Sequence, residues 1–153
     1  MEKKPLIPAQ TWGGSTNVMF DLHLNEKSNC RVAFSPDKLD RMIRKAIRAV
    51  RIKRRKGVLD VWESRQSGPA TSFHSLQESH VRVETWPKER HVQGEVQLCN
   101  FSRDNSAAAL RLADLIIKNL KPATTQRLVI TRGPGKKVLV MQESIESQKM
   151  SDG

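Results

Sequence analysis

From Val18 the chain alternates, with Val18, Phe20, Leu22 and Leu24 on one side and Met19, Asp21 and His23 on the other. This period of two predicts a half-buried strand. Polar residues 25–31 then predict a turn. Ser35-Pro36-Asp37 reads as a helix start: serine to cap free backbone N–H groups, proline at the first helical position, aspartate to complement the dipole. Leu39, Met42, Ile43, Ala46, Ile47 and Val50 recur at steps of three and four, which makes one apolar stripe, and Gly57 is expected to end the helix. Residues 58–62 predict a short strand and residues 63–72 a Gly/Pro/Ser loop. Two strands follow, at 73–86 with an interruption near Ser79 and at 92–99, turning through Lys88-Glu89-Arg90.

A second helix is expected from Asn105-Ser106 to Leu120, with Leu112, Leu115 and Ile116 inward, Ala109 and Leu110 beside them, and Lys121-Pro122 as its stop. Strands at 128–131 and 137–142 flank Arg132-Gly133-Pro134-Gly135, a hairpin signal. The element order predicts an α+β protein: a two-layer sandwich of a mainly antiparallel sheet with two helices on one face. The expected organisation is a flexible N-terminal tail over 1–16, one domain over 17–142 and a disordered C-terminal tail over 143–153.

Composition narrows the class. At 153 residues the chain holds about one domain, large enough to bury a core without disulfides or metals. No apolar run nears the ~20 residues of a membrane span, and Met1-Glu2-Lys3-Lys4-Pro5 lacks a secretory pattern, so a cytoplasmic protein with no membrane partner is expected. Two cysteines, Cys30 and Cys99, make neither a disulfide framework nor a four-cysteine zinc site, and the four histidines lack helical metal spacing; no metal is expected. The net charge of +11 favours nucleic acid in principle. However, the cations concentrate between Arg41 and Lys56 with no aromatic interleaved for base stacking, so a solvated helix face is the plainer reading and nucleic acid is not an expected partner.

Several residues invite chemistry. In the strand at 92–99, Val92, Gly94, Val96 and Leu98 form the apolar face, so Gln93, Glu95, Gln97 and Cys99 point the other way. A lone strand cysteine is commonly an inert core residue; its place off the stripe weakens that reading. Arg82, Glu84 and Trp86 similarly oppose Val81, Val83 and Thr85. A sheet face of this kind is solvated, a subunit contact or a site. Gly133-Pro134-Gly135-Lys136-Lys137 lacks phosphate-loop spacing and reads as a turn. Ser79 beside His80 does not read as a hydrolase pair, because neighbours on an extended chain point apart and no nucleophile-elbow glycines flank the serine.

Glu78-Ser79-His80, then Thr85-Trp86-Pro87, then Cys99, preceded by Gly68-Pro69-Ala70-Thr71, together resemble the self-cleavage region of S-adenosylmethionine decarboxylase proenzymes of the prokaryotic, pyruvoyl-dependent kind. The resemblance covers residues 18–122 in element order and 68–99 in specific residues. It implies that the Ser79 hydroxyl attacks the Glu78 carbonyl and that the resulting ester eliminates, splitting the chain between 78 and 79. A pyruvoyl group generated from Ser79 is then the cofactor, whose ketone takes up a substrate amine and accepts the electrons freed as CO₂ leaves. It further implies Cys99 as proton donor to the decarboxylated carbon, Thr71 at the position of a serine that assists processing, and Trp86 in substrate binding. The expected partners are a small-molecule amine and a second copy, giving a homodimer of cleaved chains that serves polyamine and spermidine biosynthesis.

Two positions depart from the family. Glu84 stands where a processing histidine is expected, and Lys88 replaces the acid of the usual Trp-Pro-Glu. Residues 65–67 also lack the aromatic expected against adenine. Arginine or ornithine is therefore an alternative substrate, and a non-catalytic regulatory paralogue an alternative role.

Overall fold

A computed structural model describes residues 13–100, 103–133 and 138–147. The elements run β1 (Ser15–His23), α1 (Cys30–Ala33), α2 (Pro36–Ala49), β2 (Arg54–Val61), β3 (Ala70–Leu76), β4 (Ser79–Trp86), β5 (His91–Cys99), α3 (Ser106–Leu120), β6 (Thr124–Arg132) and β7 (Leu139–Glu146). The strands form one seven-stranded sheet in the order β2-β3-β4-β5-β1-β6-β7, antiparallel at every pairing. This is the two-layer α+β sandwich that the hydrophobic pattern predicts.

Alternation divides the sheet into two faces. On β1 and β5, Val18, Phe20, Leu22, Val92, Val96 and Leu98 are buried beneath α3, and with Leu39, Ile43 and Ile47 of α2 and Leu112 and Ile116 of α3 they form one core cluster. This face is the apolar core, and burying each of these large side chains stabilises the fold by roughly 1.5–3 kcal/mol. Gly94 pairs with Phe20 across β5 and β1, and a Cβ there would lie 2.0 Å from Phe20 Cζ. The glycine makes room for the ring. The opposite, open face carries Met19, Asp21, Arg82, Glu84, Gln93, Glu95 and Gln97, all half-buried.

Some boundaries differ from the sequence pattern. α2 ends at Ala49, because Arg51 turns into the left-handed region at φ 58°. Arg54 and Lys56 then pair with β3, so the basic run is shared between helix and strand. Gly57 is no helix stop. It lies in β2, where a Cβ would come 2.6 Å from His74 Nδ1. Ser35 occupies the N-cap position of α2 without a side-chain cap hydrogen bond. The loop expected up to residue 72 ends earlier, since β3 begins at Ala70. α1, a single turn, is too short to show a period. β7 runs on through Glu146 instead of fraying at 143, as Arg127 Nη2 holds the Glu143 carboxylate at 2.6 Å. β1 begins at Ser15, inside the expected N-terminal tail, whose first twelve residues lie outside the described residues, as do 134–137 of the hairpin turn.

Behind β3 the helix face holds a polar cluster. His74, fully buried, receives a hydrogen bond from Arg54 Nε on Nδ1 (2.8 Å), which leaves Nε2 to donate to Asp40 Oδ1 at 2.9 Å. Ser72 Oγ also donates to Asp40 Oδ1, at 3.0 Å. Burial alone would raise the Asp40 carboxyl. The hydrogen bonds from His74 and Ser72, with Arg44 beside it, outweigh burial and bring it down to about 2. The cluster ties α2 to β2 and β3.

Candidate functional site

The turn between β3 and β4 is built for strain. Leu76 pairs with Ser79 across the two strands, leaving only Gln77 and Glu78 to reverse the chain. The favoured two-residue turns place positive φ on the loop residues; here Gln77 and Glu78 do not take it and Ser79, the first strand residue after them, does, at φ 138°. A non-glycine residue in that region costs on the order of 1–3 kcal/mol and persists where its surroundings hold it. The surroundings are specific. The Cys99 amide N–H donates to the Glu78 carbonyl at 2.8 Å. The Glu78 side chain is buried, and Asn105 Nδ2 donates to its carboxylate and to the Cys99 carbonyl, the latter at 2.9 Å. Asn105, expected only as a helix start, thus fastens β5 to the turn before Ser79.

The twist at Ser79 has a second consequence. It brings Ser79 Oγ within 3.3 Å of His80 Nδ1, against the expectation that neighbours on a strand point apart. His80 in turn stacks on Phe73, with ring centroids 5.7 Å apart, and its Nε2 lies 3.7 Å from Glu95 Oε1. Glu95 is itself held by Asn17 Nδ2 (2.8 Å) and Arg82 Nη2 (3.4 Å). A hydroxyl, an imidazole and a carboxylate are therefore joined through His80, beginning at the residue next to Glu78. The sequence signal for it was present in the triplet, but only the positive φ makes the pair.

Of the residues singled out from the sequence, Ser79, Glu78 and Cys99 come together at this end of β4 and β5. Thr71, Glu84 and Trp86 do not join them. Thr71 pairs with Glu84 across β3 and β4, and both line a cleft of about 530 Å3 with Trp62, Trp86 and Lys88. Five residues of strand separate Ser79 from Glu84, about 16 Å at ~3.3 Å per residue, beyond side-chain reach. Within one chain the candidate residues form two clusters, at opposite ends of β4. Glu84 Oε1 faces Arg82 Nη1 at 3.5 Å, on the open face.

A seven-stranded antiparallel sheet with its helices on one face, and a Glu-Ser turn whose carbonyl accepts from a cysteine amide, defines the class as an α+β sandwich. Comparison with known proteins gives the family. The family model for S-adenosylmethionine decarboxylase matches residues 21–133, well over half of the chain, and the chain belongs to that family. Among solved structures it is similar to the adenosylmethionine decarboxylase from Aquifex aeolicus VF5, at 18% identity and a TM-score of 0.66, covering 83% of this chain and 97% of that one. No curated protein matches. Among the described residues no helix is long and apolar enough to cross a membrane.

Proposed function

We propose that the protein is a self-processing, pyruvoyl-dependent decarboxylase acting on a small amine that bears a carboxyl group, in polyamine biosynthesis. The observation that carries this reading is the Glu78-Ser79 bond: a serine at φ 138° whose hydroxyl meets His80 Nδ1, after a carbonyl that accepts from the Cys99 amide. His80 takes the Ser79 proton as Oγ attacks the Glu78 carbonyl. The Cys99 N–H stabilises the charge that develops on that oxygen. Relief of the positive φ favours leaving the amide for the ester. Ser79 stands where the family's pyruvoyl group forms, and the residues around it fit that origin; the group supplies an electron sink for decarboxylation. Cys99, half-buried at the end of β5, is the proton donor.

Glu84, Thr71 and Trp86 fall into place if two copies pair their open faces about a twofold axis. Such an isologous contact sets one chain's Ser79 end against its partner's Thr71-Glu84 end. In that arrangement Glu84 abstracts the proton that the family's histidine removes. The substrate enters the cleft beside Trp86, where Lys88 replaces the family's acid. S-adenosylmethionine is the leading substrate by family, with arginine or ornithine as the alternative raised by the loss of the family's acid at Lys88 and of the aromatic expected over residues 65–67. Release of labelled CO₂ from each, by material whose mass shows cleavage at 78–79, tests the reading and separates the substrates. The second reading, a non-catalytic paralogue, draws on Glu84 alone and expects an intact chain.

A further inference from the structure

Beside the scissile bond lies a pocket of about 250 Å3 lined by Arg51, Ile52, Lys53, Gln77, Glu78 and Arg103. Three cations and a single acid, Glu78, thus line it. Its place is fixed by the backbone: the Gln77 amide donates to the Lys53 carbonyl at 2.8 Å, which runs the segment 51–53 alongside the turn. Arg103 is held in orientation. Its Nε donates to Asn105 Oδ1 at 3.0 Å and its Nη2 to the Arg51 carbonyl at 3.5 Å. Asn105, through Nδ2, holds the Glu78 carboxylate, so the pocket and the scissile residue share one hydrogen-bonded link.

The self-cleavage chemistry places a new charge on Glu78, one of the residues that line this pocket. After the acyl shift, Glu78 is esterified through its carbonyl carbon to the former Ser79 Oγ. Loss of the Ser79 α-proton breaks the Cβ–Oγ bond, and the electron pair leaves on oxygen. Glu78 keeps that oxygen as a free α-carboxylate. The residue at 79 becomes dehydroalanine, which takes up water and releases ammonia. Glu78 then carries two carboxylates, and its side chain is already buried. Two like charges so close are unfavourable unless cations stand by.

We propose that the Arg51-Lys53-Arg103 pocket is the binding site for the α-carboxylate that Glu78 gains on cleavage. It stabilises the departing carboxylate, makes the break one-way and keeps the two chains associated. This rests on the self-cleavage reading.

The test uses the full chain with Lys53→Gln, Arg103→Gln and, as the conservative control, Lys53→Arg. Each is made both with Ser79 present and in an uncleavable Ser79→Ala background. Intact mass scores cleavage, and melting temperature and release of the N-terminal fragment in high salt score association. In cleaved protein, Lys53→Gln and Arg103→Gln lower the melting temperature by about 3 °C more than in the Ser79→Ala background. They also raise fragment release roughly tenfold, while Lys53→Arg behaves as the parent. Slowed cleavage in the two glutamine variants, with Lys53→Arg cleaving as the parent does, is the same result seen kinetically. Equal shifts in both backgrounds, with cleavage and fragment release unchanged, overturn the pocket assignment and leave self-cleavage standing. A parent chain that stays whole overturns both.

Discussion

The amide of Cys99 donates to the carbonyl of Glu78 at 2.8 Å. One residue thereby serves two positions: its backbone holds the carbonyl that the proposed self-cleavage has Ser79 attack, and its side chain stands off the apolar stripe. Since the backbone donor survives any side-chain change, the two roles separate experimentally. Cys99→Ala is expected to cleave at 78–79 at close to the parent rate, as mass spectrometry reads, while decarboxylation falls by about 10²-fold or more.

His80 is predicted to be the base for processing. With Ser79 Oγ at 3.3 Å from Nδ1, His80→Ala is expected to slow cleavage by about 10²–10⁴-fold, measured as the disappearance of full-length chain. Glu95→Gln, which acts through His80, should slow it less. If His80→Ala cleaved like the parent, the proton would have to leave by another route.

Strain at Ser79 gives a stability prediction. Both Ser79→Ala and Ser79→Gly remove the hydroxyl and stay uncleaved. Only glycine adopts φ 138° freely. Ser79→Gly is expected to be more stable than Ser79→Ala by about 1 kcal/mol in denaturant melts. The opposite order would mean that the turn bears no strain.

Much of this was open to inspection in the sequence, and what was hidden has a physical cause. The stripes of α2 and α3 and the two faces of β5 follow from period alone, because burial on one face is what writes the pattern. Gly57 misled because a glycine after a basic run looks like a helix end, whereas close approach of His74 is what requires it. The Ser79–His80 contact was invisible because strand geometry assumes an ordinary φ. The separation of Thr71, Glu84 and Trp86 from Ser79 was also hidden: the motif places them within eight residues or so of the serine in sequence, but a strand spends that length on distance. Asn105 reads only as a helix start because its role depends on Glu78, a partner far away in the chain.

Gly94→Ala is predicted to be destabilising by about 1–3 kcal/mol, since its Cβ would meet Phe20 Cζ at 2.0 Å. Phe20→Leu in the same chain should recover part of the loss. Simple additivity in the double variant would show that the two positions do not touch.

The Asp40 cluster predicts an acid limb. Its folded carboxyl is held near 2, below the ordinary value of 3.8, so the stabilisation is fully present above that value and is lost as pH falls through 3.8 toward about 2. Asp40→Asn should melt lower than the parent at pH 7, and the gap should close by about pH 2. A gap that persisted at low pH would place the effect in shape instead of charge.

The most direct measurement is the intact mass of purified parent protein after long incubation. Two chains are predicted, one ending at Glu78 and one beginning at position 79 with a pyruvoyl group, their summed mass differing from the precursor by one water gained and one ammonia lost. A single chain that retains an ordinary Ser79 would contradict the account.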